Sequence, residues 1–343
     1  MHLRISILGL AVARLALAAE VGYFDSKTCA DPSGLESCYE DTDSSWADCI
    51  NDNCDGLGVD CHNVCECIRQ EAYLNCAASS CWNKVYSCEY QSTASDLIGA
   101  CLNPPINSIP FFPPPDNAPG GCSCNIGTIS IDTYLASANL EDCNAENIEG
   151  MTDEDELASY AYGCMCCSYS TFLSSLPNTC PTLDPSELEL DNLEQIFRNV
   201  SGSDWDDCAQ YLEQYDCAKT FGYPDHIETY YGPGEIPTGG TETLHNTAGS
   251  ITSPVSGATF TWTSGTVENV VTVSSVGAVP TGGGDDDDDD TDTASATSSG
   301  GSGGGSESTA TDESQPGLGV RGVSVHPVLI AVAGGMMSFI LVL

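Results

Sequence analysis

The chain has 343 residues, 50 of them acidic against eight Lys and Arg, and carries a formal net charge of −42 at neutral pH. That balance excludes nucleic acid and anionic headgroups as partners, because so few basic residues cannot assemble a patch that neutralises phosphates. What remains is repulsion at a crowded surface, positively charged partners, and divalent cations held only weakly.

Residues 1–19 combine a cationic start at Arg4, an apolar stretch interrupted by Arg14, and the small residues Ala16, Ala18 and Ala19. This is the pattern of a secretory signal peptide cut after Ala18 or Ala19. Secretion changes the meaning of the 20 cysteines, since an oxidising route makes paired thiols the default and ten disulfides the working number. Between Glu20 and Gly222 only about one residue in five is a large apolar one, so crosslinks must supply much of the stability.

Residues 20–103 form a first cysteine-rich helical region with eleven cysteines: Cys29, Cys38, Cys49, Cys54, Cys61, Cys65, Cys67, Cys76, Cys81, Cys88 and Cys101. Its stretch "NDNCDGLGVDCH" places Asn51, Asn53, Asp55 and Gly56 at calcium-loop spacings, but His62 stands where a bidentate Glu belongs, and the stretch reads as a turn. In "VCECIRQEAYLNCAASSCWNKVYSCEYQ", Cys65 and Cys76 are eleven apart and Cys81 and Cys88 seven apart. Each pair shares one face at helical periodicity, which predicts two helices of a stapled hairpin.

Residues 104–121 are a proline-rich connector, expected to be extended. Residues 122–222 form a second cysteine-rich helical region with nine cysteines: Cys122, Cys124, Cys143, Cys164, Cys166, Cys167, Cys180, Cys208 and Cys217. Eleven and nine are both odd, so either a bridge joins the regions or each keeps a free thiol. Helices with acidic starts are expected in "TDEDELASYAYGCMCCSYSTFLSSL", "PSELELDNLEQIFRNV" and "SDWDDCAQYLEQYDCAKTFG", the last capped by Ser203 or Asp204. In a continuous helix Cys208 and Cys217 would face opposite sides and could not bridge each other. The C-x-x-C of Cys164 and Cys167 reads as structural bridging, since the oxidising route argues against both redox exchange and zinc. Asn199 heads an N-glycosylation sequon, Asn199-Val200-Ser201.

Residues 223–316 lack cysteine and are rich in Gly, Ser, Thr and Asp, which predicts a disordered, glycosylated, low-complexity stalk stiffened by the run from Asp285 to Asp290. "FTWTSGTVENVVTV" alternates around Ser264-Gly265 as a weak hairpin, marginal by itself in water. Residues 317–343 end in an apolar run, Pro327 to Leu343, of about 25 Å as a helix, short of the ~30 Å hydrocarbon core and with no basic residue behind it. The C-terminal apolar signal fits GPI attachment, with Ser308, Ser314 and Gly317 as candidate ω residues and Pro316 poorly placed at ω+2 of Ser314. A tail anchor or single span is the alternative.

Catalytic patterns are few. Past the signal peptide and before the C-terminal signal the histidines are His62, His226 and His245, and no G-x-S-x-G elbow occurs. Carboxylate pairs for glycoside cleavage carry no information in so acidic a chain. The stretch "DCHNVCEC" resembles a fragment of the fungal CFEM domain, some members of which bind haem through an Asp three residues before a C-x-C; here Cys65-Glu66-Cys67 is that C-x-C and His62 holds the position of the Asp. In layout the whole chain is similar to GPI-anchored cell-surface and cell-wall proteins of filamentous fungi. That resemblance implies an extracellular location, a membrane outer leaflet reached through GPI, and crosslinking to cell-wall polysaccharide. The expectation is a mainly α, disulfide-rich irregular head on a disordered stalk, without cofactor or enzymatic activity, in a structural or adhesive role. A small-ligand binder of CFEM type holding haem through His62, and a wall-remodelling hydrolase, are the alternatives.

Overall fold

The computed structural model describes residues 24–54, 59–143, 153–188 and 204–274. The stretch expected to be a signal peptide, the Asn199 sequon, the aspartate run, the Ser308, Ser314 and Gly317 candidates and the apolar C-terminal run lie outside the described residues, as does most of the helix expected after Pro185.

The described chain is mainly helical, and most of its helix starts are set by side chains that accept from otherwise orphaned amides. Helix α1, Pro32–Asn53, opens with Asp31 accepting from the Gly34 amide at 2.9 Å and a proline at the first helical position. Helix α2, Val59–Ser80, runs back beside it. Ser87 caps α3, Cys88–Ala100, and Asn125 caps α4, Ile126–Asp142. Helix α5, Glu154–Thr179, begins with Asp153 accepting from two amides and with Glu154, Asp155 and Glu156 at its positive end. Two short helices, α6 (Ala209–Gln214) and α7 (Cys217–Phe221), precede an antiparallel hairpin of β1 (Thr259–Ser264) and β2 (Val267–Thr272). The long helices pack in chain order, each on the next from α1 to α5.

All twenty cysteines are paired. Cys38–Cys76, Cys49–Cys65 and Cys54–Cys61 pin α1 to α2, while Cys29–Cys81 and Cys67–Cys101 close the ends of that layer. Cys124–Cys180, Cys143–Cys164, Cys166–Cys208 and Cys167–Cys217 staple the second half. Cys88–Cys122 joins the halves and so accounts for both odd counts. Beside these bridges, Arg69 of α2 lies 4.7 Å over the Trp46 ring and 5.0 Å over the Tyr73 ring while donating to Asp43 of α1 at 2.6 Å.

Several elements differ from expectation. Cys65 and Cys76 do share α2, but Cys81 and Cys88 flank a 3₁₀ turn, Trp82–Lys84, and the hairpin partner of α2 is α1. The chain leaves helix there because Asn83 accepts from the Ala30 amide and donates to the Thr28 carbonyl, and Ser87 then caps a new helix. The helix expected through Trp205 and Cys217 is broken at Tyr215 and Asp216, where the Asp216 side chain turns to accept from the Lys219 amide and starts α7. Cys208 and Cys217 accordingly reach adjacent cysteines of α5.

The proline-rich segment 104–121 is not a spacer. Ile109 and Phe112 are buried, Tyr90 donates its hydroxyl to the Pro110 carbonyl, and Phe111 meets Tyr86, Tyr90 and Phe260 edge-on. Helix α4 approaches it so closely that a Cβ on Gly127 would lie 2.9 Å from the Phe112 ring. Nor does a stalk begin at 223. Residues 223–274 wrap the helices, burying Tyr223, Ile227, Ile251, Trp262, Val271 and Val273. The hairpin gains from α2 what it lacks alone: Trp262 donates its indole N–H to Asn75, Ser79 donates to the Thr272 carbonyl, and Ser264 donates to Glu71. Among the described residues no helix is long and apolar enough to cross a membrane.

Candidate functional site

Helix α5 carries two stripes of small hydroxyl residues. Ser168, Thr171 and Ser175 follow helical spacing on one face, and Ser170 and Ser174 lie beside them; all five are buried. A buried hydroxyl needs a partner, and these find theirs within α5, on α4 and on the segment after α7. Ser168 donates to the Ala136 carbonyl of α4 and Thr171 to the Cys167 carbonyl of α5. Ser170 donates to the Tyr231 carbonyl, Ser174 accepts from the Tyr231 amide, and Asn178 accepts from the amides of Glu228 and Thr229. Residues 223–242 are thereby strapped along α5.

At the start of this strap His226 meets Asp132 of α4, Nε2 to Oδ2 at 3.1 Å, and Ser175 donates to the same oxygen at 2.5 Å. The Asp132 side chain is wholly enclosed whereas that of His226 is 50 % exposed, and Asp132 Oδ1 is buried with no hydrogen-bond partner among the described residues. Burial holds the Asp132 carboxyl above its ordinary range, opposed by the Ser175 hydrogen bond and by the charge and hydrogen bond of His226.

Serine, histidine and aspartate thus meet, but with the carboxylate in the middle. In an acyl-transfer triad the imidazole stands between hydroxyl and carboxylate and takes the proton of the nucleophile. Here the Ser175 hydroxyl points its proton at Asp132, and Ser175 is itself 0 % exposed. The arrangement suits a latch that fixes the strap to α4 and α5.

The residues singled out in the sequence fall elsewhere. His62 is exposed on the first turn of α2, and the sulfurs of the neighbouring C-x-C diverge, Cys65 to Cys49 and Cys67 to Cys101. Asn51 and Asn53 belong to the last turn of α1, with the Asn53 amide donating to the Cys49 carbonyl, so they do not face a cation together; Asp55 and Gly56 lie outside the described residues. Cys164 and Cys167 fan out to Cys143 and Cys217. Two clusters have metal-like proximity, Cys54 with Cys61 and Cys65, and Cys67 with Glu71 and Cys101, but every sulfur in them is committed to a bridge. Sequence reasoning noted His226 but missed Asp132 and Ser175; the signal open to it was the hydroxyl stripe of α5.

Comparison with known proteins adds no relative: no family model, no curated protein and no solved structure matches the chain. The ten disulfides are compatible with an extracellular protein.

Proposed function

We propose that the chain is a non-enzymatic extracellular protein whose stapled head is displayed at the cell surface or in the cell wall, held there by a GPI anchor, in a structural or adhesive role. The observation that carries the reading is the pairing of every cysteine, from Cys29 to Cys217, ahead of a hydroxyl-rich region and an apolar C-terminus. Crosslinks of this density suit a protein that must keep its shape without chaperones or a reducing cytosol. The order of groups at Asp132 supports a structural role for the buried Ser175, since its hydroxyl is held by the Asp132 carboxyl and no imidazole stands on it.

The test is release. Treatment of intact cells with a GPI-specific phospholipase, followed by glucanase digestion of the residue, should free the protein at one of the two steps. Retention through both, together with detection of an epitope fused behind Leu343 on mature molecules, would reject the anchor.

A further inference from the structure

Beyond the latch, the strap does not lie flat on α5. Between Tyr231 and Gly239 it stands off the helix and borders a partly open cavity of about 270 Å³ with the residues that follow the end of α5. Leu173, Leu176 and Pro177 of α5 form one wall, continued by Pro181, Leu183 and Pro185. Tyr231, Ile236, Pro237 and Thr238 of the strap form the other.

Two features mark this as a built recess. The first is rigidity: four prolines line it, the Cys124–Cys180 bridge ends in it, and the strap is clamped on both sides. Upstream the clamp is Tyr231 on Ser170 and Ser174; downstream the Gly240 amide donates to Leu183, the Glu242 amide to Thr182, and the Asp184 amide to Glu242. Strap and turn approach so closely there that a Cβ at Gly240 would lie 1.7 Å from the Thr182 carbonyl oxygen, so only glycine serves. Walls fixed before binding lose little entropy when a ligand arrives.

The second feature is charge. In a chain with 50 acidic residues none of the lining side chains is an acid or a base, and the polar side-chain groups of the wall are the hydroxyls of Thr238 and Tyr231. An ion placed here would lose its hydration with no countercharge to replace it. Ile236, 42 % exposed, leaves apolar surface open to solvent at the same place.

We infer that this cavity binds a neutral, apolar small molecule carrying one hydroxyl or carbonyl group. Its size is that of an alcohol of about ten carbons, since a dry apolar cavity of roughly 150 Å³ already accepts benzene. The inference stands whether or not the chain is tethered to a surface.

The experiment uses the secreted protein with its ten bridges intact. The fluorescent probe N-phenyl-1-naphthylamine is bound and displaced with 1-decanol, and decanol binding is also measured directly by calorimetry. Each methylene removed should weaken binding about fourfold, so 1-octanol should bind roughly 15-fold less tightly than decanol. Decanoate at neutral pH should bind at least about tenfold less tightly than decanol. Ile236→Asp, at a partly exposed position, should lose at least about tenfold in decanol affinity while showing no alkylatable thiol, which confirms that it folds. The assignment is overturned if calorimetry detects no decanol binding, if decanoate matches decanol, or if a correctly folded Ile236→Asp binds decanol as tightly as the parent.

Discussion

Between Cys29 and Cys217 the chain is crosslinked ten times, while the stretch from Tyr223 to residue 274 contains no cysteine; yet the two bury side chains to similar depth, Leu74 and Tyr90 at 0 % exposure against Tyr223 at 2 % and Trp262 at 4 %. The first region restricts its unfolded state covalently and can tolerate a polar interior, such as the Ser95–Ser130 hydrogen bond between α3 and α4. The second depends on a few aromatic and aliphatic anchors and on hydrogen bonds to helices already in place. Its order therefore rests on the first, with which Ile251, Trp262, Val271 and Val273 share one buried cluster.

Reducing agent should have the largest effect. Each bridge contributes about 2–4 kcal/mol, not additively, so reduction should abolish the helical circular dichroism of the first region and, with it, the protease resistance of the second. Alkylation should count no thiol in the native protein and twenty after reduction. Trp262→Ala should cost about 3–5 kcal/mol, confined to the second region: proteases should cut between 245 and 274 while helical dichroism and the absence of thiols are unchanged. Global unfolding of this variant would show that the dependence is mutual. Replacing both Cys88 and Cys122 with Ala should cost about 2–4 kcal/mol and separate one thermal transition into two, since this is the disulfide that ties the halves together beyond the backbone.

Two carboxylates allow smaller, opposite tests with pH. Asp132 is raised above 3.8 in the fold, chiefly by burial, so its contribution is full below about that pH and is lost as pH rises through the native value. Asp132→Asn should flatten this decline, read as the pH dependence of the melting temperature and of cleavage in 223–242. Asp43 is lowered, chiefly by the Tyr73 hydroxyl hydrogen bond, so its contribution is present above 3.8 and is lost as pH falls through the native value. Its side chain is 53 % exposed, and solvent screening keeps the effect small: Asp43→Asn should cost under about 1 kcal/mol at neutral pH and nothing measurable in strong acid.

Local chemistry was readable from the sequence, and long-range placement was not. The acidic start of α5, the odd cysteine counts that left a bridge such as Cys88–Cys122 as one of two outcomes, and the reversal of the hairpin just after Ser264, at Gly265 and Thr266, each depend on neighbouring residues or on counting. The docking of that hairpin depends on Asn75, 187 residues before Trp262, and the latch on a pair 94 residues apart. Gly, Thr and Ser dominate 223–274 and signal low complexity, because the few anchors that order it are diluted among residues that resemble a linker. The same dilution hid the cavity: Pro177, Pro181, Pro185 and Pro237 read singly as helix breakers and become the facing walls of one cavity only after α5 and the strap are set side by side.

The hairpin on α2 also has a meaning in time. At ordinary rates of synthesis, roughly 10–40 s separate the appearance of Asn75 from that of Trp262, and for that interval the flank of α2 has nothing from the hairpin upon it. Oxidation of Cys67, Cys76 and Cys101 can proceed around an open helix, with isomerases free to correct wrong partners. Arrival of the hairpin then closes the window, so a piece made late acts as a seal on one made early.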